Sequence, residues 1–254
     1  HYTDDVLEKK LNDKDKKFQI DYQGKHPDER LDSGIFFNDS RMTTYIVLAN
    51  HNPLFRNTEE SVDHSYHIRL FSEQGKVVTN IKGLAKVGQT LTIKLNEYET
   101  CPKKGWYLIS LIPFKPGFYG TLRPQILLKG NDWALTTHVQ PHKHASYGTK
   151  KKSRAHMYIK SVDGKTNTSL SVINGSNKQG EIKVELSEND YLETYTDKIS
   201  ANGSIVINLD EKIASFPDDG VLLIAVSSNV PTRKHIIMES ENGTISLDHF
   251  PNTV

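Results

Sequence analysis

The chain has 254 residues, 36% of them hydrophobic and 25% charged, with 32 Lys and Arg against 31 Asp and Glu. That near-neutral balance excludes a bulk electrostatic affinity for nucleic acid or for acidic partners, so charge-driven recognition has to come from local clusters. No apolar run approaches the roughly 18 residues of a membrane helix, so membrane insertion is not expected.

Residues 1–31 stand apart. They open on His1 rather than Met, which reads as processing or a fragment boundary, and they interleave eight acids with seven Lys or Arg. Thr3 before Asp4 and Asp5 has the look of a helix start, because a hydroxyl caps a backbone N–H and the acids face the positive end. "KFQIDYQG" then alternates with period two, as a half-buried strand does. The expectation is a charged arm holding a short helix or an edge strand.

From residue 33 the pattern is β throughout. Apolar runs "GIFF", "YIVLA", "YHIRLF", "TLTIKL", "WYLISLI", "QILLK" and "WALTTHV" are separated by Gly, Pro, Asn and Asp. The second half repeats the order with "MYIK", "SLSVI", "GEIKVEL", "SIVINL", "VLLIAV", "HIIMES" and "TISLDHF". "GQTLTIKLNE" (88–97) falls on "NGSIVINLDE" (202–211) at a shift of 114 positions, and the shift drifts only between about 111 and 124 along the chain. Asn131-Asp132 and Asn242-Gly243 take equivalent hairpin turns, where positive φ must be tolerated.

The expectation is therefore an all-β chain of two tandem seven-stranded antiparallel sandwiches behind a short arm. The predicted division is arm 1–31, sandwich one with elaborated loops 32–140, a basic His-rich linker 141–155, and sandwich two 156–254. The architecture resembles fibronectin type III and immunoglobulin-like domains as a class. It departs from true immunoglobulin domains in lacking the inter-sheet cysteines and the central Trp.

Related sandwiches share what folding requires, so differences between them point to function. The first carries "HNPLFRNTEESVD" (51–63) where the second has "GSNKQG", and "IPFKPGFYG" (112–120) where the second has "SSNVP". Loops on a rigid scaffold are the usual carriers of binding. Phe114, Phe118 and Tyr119, stiffened by Pro113 and Pro116, form an aromatic surface suited to a sugar face or a partner protein. Phe55 and Arg56 in the other loop join them as candidate binding residues. The alternative is that the rings pack internally.

Between Trp133 and Val162 there is no acid. Lys143, Lys150, Lys151, Lys152 and Arg154 make a candidate anion site, or simply a solvated linker. His138, His142 and His144 have the residue types of a zinc or copper site, but no nearby acid orients a ring. His138 also aligns with His249, which suggests a shared place at a strand end. His64 and His67 in "HSYH" are two further imidazoles to test. Four junction histidines beside six cations also suggest a titratable junction.

Cys101 is the only cysteine, so no intramolecular disulfide forms. Lys103 and Lys104 beside it could lower its pKa, yet no histidine lies near in sequence to act as base, so a nucleophile role is not expected. Five Asn-x-Ser/Thr sequons occur, at Asn38, Asn167, Asn174, Asn202 and Asn242, and three of these are Asn-Gly turns, the simpler reason for them. No hydrolase elbow, P-loop or zincin motif is present. The composite expectation is a non-enzymatic structural or adhesive module without a cofactor, leaning toward the cell exterior. It would bind a protein partner or itself, and nucleic acid is not expected. The alternatives are a carbohydrate-binding module on the aromatic loop and a metal-dependent activity at the junction histidines.

Overall fold

Period-two alternation gives a chain of strands, as the burial of Met42–Asn50 illustrates. Met42, Thr44, Ile46, Leu48 and Asn50 are buried while the residues between them are only partly covered. The computed structural model describes residues 29–51, 62–115, 122–138, 153–160, 166–188, 191–212 and 221–249. These form sixteen strands and a single 3-10 turn at Leu95–Glu97, with no α-helix among the described residues.

The first eight strands are β1 (Arg30–Phe37), β2 (Met42–Asn50), β3 (His64–Phe71), β4 (Val77–Ala85), β5 (Gln89–Lys94), β6 (Lys104–Pro113), β7 (Pro124–Gly130) and β8 (Ala134–His138). The second eight are β9 (Ser153–Lys160), β10 (Thr166–Asn174), β11 (Gly180–Glu188), β12 (Tyr191–Ile199), β13 (Ser204–Asn208), β14 (Val221–Ser228), β15 (Thr232–Ser240) and β16 (Ile245–His249). They build four antiparallel four-stranded sheets. The first half has the orders β1-β6-β3-β4 and β5-β2-β7-β8, and the second half has β9-β14-β11-β12 and β13-β10-β15-β16. Adding eight to every strand number of the first half yields the second. The described residues divide into two compact units, one within His1–Ser72 and Val77–Gly148, the other within Glu73–Lys76 and Thr149–Val254.

Each half has one strand more than the seven apolar runs led us to expect. The additional strands are β4 and β12, which occupy the same sheet edge in their halves. The first strand starts at Arg30, inside the span assigned to the arm, and residues 1–28 lie outside the described residues.

In the second half a single apolar cluster draws on both sheets. Ile182, Val184, Leu186, Leu222, Ile224 and Val226 come from one, and Leu170, Val172, Ile207 and Ile236 from the other. Each such side chain contributes about 1.5–3 kcal/mol by leaving water. The first half buries Ile46, Leu48, Ile126 and Leu128 in the same alternating way, whereas β3 and β6, with Ile68, Leu70, Ile109 and Leu111, bury residues on both faces. Gly34 lies opposite Tyr107, whose buried ring occupies the space a Cβ at residue 34 would take.

Two turns of the halves also match in their hydrogen bonds. Gly88 (φ 76°) and Asn202 (φ 52°), 114 positions apart, fill the left-handed place in equivalent turns. In those turns Gln89 N–H donates to Lys86 O (3.1 Å) and Gly203 N–H to Ser200 O (3.0 Å). Past the next strand Tyr98 N–H donates to Leu95 O and Lys212 N–H to Leu209 O, each closing over a fully buried leucine.

Candidate functional site

Three connections of the first half emerge at one end. Strand β2 finishes at Asn50 opposite Gln89, the first residue of β5. His64, which opens β3, faces both Ala85 at the end of β4 and Pro113 at the end of β6. Pro124, the first residue of β7, lies opposite Leu48. The β2–β3, β4–β5 and β6–β7 connections therefore share that end.

Their roots are bonded together. Asn50 Nδ2 donates to Val62 O (3.0 Å) and Ala85 O (2.9 Å), so one buried amide joins the β2–β3 loop to the end of β4. Asp63 does two further things: its carbonyl accepts Phe114 N–H at 3.0 Å, and its carboxylate accepts Val87 N–H at 2.8 Å. Phe114 is half-buried, and Val87 is an exposed apolar side chain on the neighbouring turn (42% exposed). His51 Nε2 pairs with Thr90 Oγ1 at 2.8 Å on the same rim.

The second half makes the same end with less chain. Residues 175–179 replace the thirteen of 51–63, and 229–231 replace the ten of 114–123. Asn174 there repeats the role of Asn50, donating to Lys178 O (2.8 Å) and Ser200 O (2.9 Å). Sequence reasoning found the loops but missed Asn50, Asp63 and Asn174. The usable signal was the asparagine that closes both "VLAN" and "SVIN" at the same strand position.

Of the residues singled out from sequence, Phe114 is placed at this root. Phe118, Tyr119, Phe55, Arg56, Lys143, Lys150, Lys151, Lys152, His142 and His144 lie outside the described residues. Arg154 is on β9 and His138 is the last residue of β8. His138 and His249 close equivalent strands, as their alignment suggested.

A second polar cluster lies on the sheet β1-β6-β3-β4. Ser110 Oγ donates to Glu29 Oε1, and both residues are buried. Directly opposite Ser110 is His67, which sets a serine, a histidine and a carboxylate close together. The ring is committed elsewhere. Arg69 Nη2 lies 3.3 Å from His67 Nδ1, and a guanidinium only donates, so Nδ1 accepts; Nε2 then carries the proton and donates to Asn80 Oδ1 at 3.0 Å. With both nitrogens occupied, His67 has no lone pair for the Ser110 proton. His64, three residues earlier on the same strand, points to the opposite face and bonds Val62 O through Nδ1. The two histidines do not converge.

Among the described residues no group of three His, Cys, Asp or Glu side chains could hold a metal ion. Burial pushes the Cys101 thiol up to about 11, opposite to the lowering its neighbouring lysines could give, and a hydrogen bond from the Asn38 side chain offsets only part of that. Lys103 and Lys104 are exposed, so water screens their pull on the half-buried sulfur. Of the sequons, Asn174 and Asn202 are buried, whereas Asn167 and Asn242 are exposed. The sequence matches no protein-family model, and no curated protein matches it.

Proposed function

We propose that the chain is a non-enzymatic structural or adhesive module: two tandem copies of one immunoglobulin-like β-sandwich, contacting a protein partner or a second copy of itself through the loop end of the first half. The observation that carries this is the lopsided elaboration of one shared end. Both halves tie that end with the same asparagine, yet only the first extends two connections from it. A rigid root under long loops is the arrangement that presents side chains to a partner at small entropic cost. The basic stretch containing Lys143, Lys150, Lys151, Lys152 and Arg154 offers a second contact region. The open sheet edges, among them β12 with its exposed Leu192 (64%), offer a third.

The test exchanges loops within the chain. Residues 51–63 and 114–123 are replaced by the second half's own short connections, 175–179 and 229–231, and molar mass is followed by light scattering over rising concentration. Self-association is expected in the parent and reduced in the exchanged chain. Equal masses at every concentration, with the parent monomeric throughout, overturn the self-association reading.

A second reading, carbohydrate binding, is favoured by the fixed root of Phe114, whose N–H is held by Asp63 at the start of the Phe118 and Tyr119 loop. A glycan array repeated with Phe118→Ala and Tyr119→Ala decides it. Binding lost in both variants supports the reading, and a blank array for the parent removes it.

A further inference from the structure

Three Asn-Gly pairs occur in the chain, at residues 174–175, 202–203 and 242–243, and the fold treats them very differently. Asn174 is fully buried, its Nδ2 donates to two carbonyls, and its Oδ1 accepts Ser176 N–H at 2.9 Å. Asn202 is buried, in the left-handed conformation. Asn242 is exposed in the β15–β16 turn, where two donors meet its Oδ1. Ser240 Oγ lies 2.5 Å away and Thr244 N–H 3.0 Å away. The Ser240 hydroxyl has a second acceptor, Thr244 O, at 3.2 Å, and the shorter contact to Oδ1 takes its proton.

We propose that this turn catalyses its own covalent change, converting Asn242 to aspartate and isoaspartate. In the chemistry, the Gly243 backbone nitrogen loses its proton to solvent base and attacks Asn242 Cγ, forming a C–N bond. Negative charge collects on Oδ1, the atom that Ser240 and Thr244 already face, so the turn supplies a small oxyanion hole. The Cγ–Nδ2 bond then breaks. Nδ2 takes a proton from water and departs as ammonia into solvent. Water opens the resulting five-membered imide at one carbonyl or the other, giving aspartate or isoaspartate. No electrons are transferred, and water is the only co-reactant.

Two features oppose each other. Gly243 N–H donates to Ser240 O at 2.8 Å, and that bond must open before attack. Gly243 has no Cβ, and one built there would meet nothing within 4 Å, so no side chain on residue 243 shields its nitrogen from Asn242 Cγ. At Asn174 the leaving nitrogen is held by two carbonyls in a site closed to water, so neither departure nor hydrolysis proceeds there.

The experiment ages the whole protein in mildly alkaline buffer. Peptide mass mapping follows the exchange of NH2 for OH, and enzymatic methylation detects isoaspartate. Conversion is expected at Asn242 well before Asn174 or Asn202, and in denaturant the three pairs should react at comparable rates. Ser240→Ala should slow Asn242 by roughly tenfold, less than loss of a donor from a sealed oxyanion hole because this turn is solvated. Ser240→Thr, which keeps the hydroxyl, should restore the rate. Comparable rates at all three pairs in the folded protein, or a Ser240→Ala protein that converts as fast as the parent, overturn the proposal. If Ser240→Ala proves less stable, the Ser240→Thr rate still separates hydroxyl chemistry from loosening of the turn.

Discussion

Asn50 and Asn174, 124 positions apart, make the same pair of hydrogen bonds: each buried amide spans from the loop after its own strand to the end of the strand two further on. Removing either amide breaks two hydrogen bonds, but at Asn174 both carbonyls keep a second donor, Ser176 Oγ on Lys178 O and Gly203 N–H on Ser200 O. Asn50→Ala should lower stability by about 2–3 kcal/mol and Asn174→Ala by less, each read as a fall in the urea midpoint at unchanged slope. Asn174→Asp should be worse, since it replaces two donors with an acceptor facing two carbonyls. A loss under about 1 kcal/mol in both alanine variants would show that water replaces the amide.

Gly88 and Asn202 allow a finer test of the match between halves. A Cβ at Gly88 meets nothing within 4 Å, so the cost of substitution there is conformational alone. Gly88→Ala should cost about 1 kcal/mol, and Gly88→Asn clearly less, because the second half already uses asparagine in that place. Thermal melts of the two variants side by side are sufficient.

Arg30 and Asp32 form a buried ion pair on β1, with Nε to Oδ2 at 2.6 Å and Nη2 to Oδ1 at 3.3 Å. Asp32→Ala leaves a buried guanidinium and should cost about 3–5 kcal/mol. Arg30→Met with Asp32→Leu should recover most of that loss, because two desolvated charges are removed together. A double-mutant cycle in denaturant measures the difference.

Lys234 gives a pH dependence with a defined sign. Burial lowers its pKa from 10.5 to about 8, with repulsion from Arg233 adding to it. Between those values the unfolded chain holds a proton that the folded chain has released, so stability rises with pH across that window. Below about pH 8 a constant penalty of roughly 3 kcal/mol remains. Lys234→Met should therefore raise the urea midpoint at neutral pH and flatten its rise between pH 8 and 10.5. An unchanged slope in the variant would assign the dependence to other groups.

Fourteen of the sixteen strands coincide with apolar runs visible in the sequence. The two unread strands, "VVTNIKGLA" and "YLETYTDKI", are sheet edges. Both place polar side chains outward, Asn80 and Lys82 on one and Thr194, Thr196 and Lys198 on the other, so their apolar residues do not form a run. The loop end was legible as a length difference between halves. Its root was not, since nothing local to Asp63 announces that its carbonyl and carboxylate reach Phe114 and Val87, in connections far along the chain. The direction of the Cys101 shift was hidden in a similar way: neighbouring lysines are visible in sequence, whereas desolvation is set by what folds over the sulfur.

Identical strand orders in the two halves have a consequence for biosynthesis. While the chain is incomplete, every strand of the second half finds in the first a slot with the right neighbours and direction, already built. Side-chain fit discriminates against the intruder, since "WYLISLI" and "VLLIAV" fill β6 and β14 with different volumes. Sequence divergence between the halves thus acts as a proofreading device against strand exchange, and engineering them toward a common consensus would remove it.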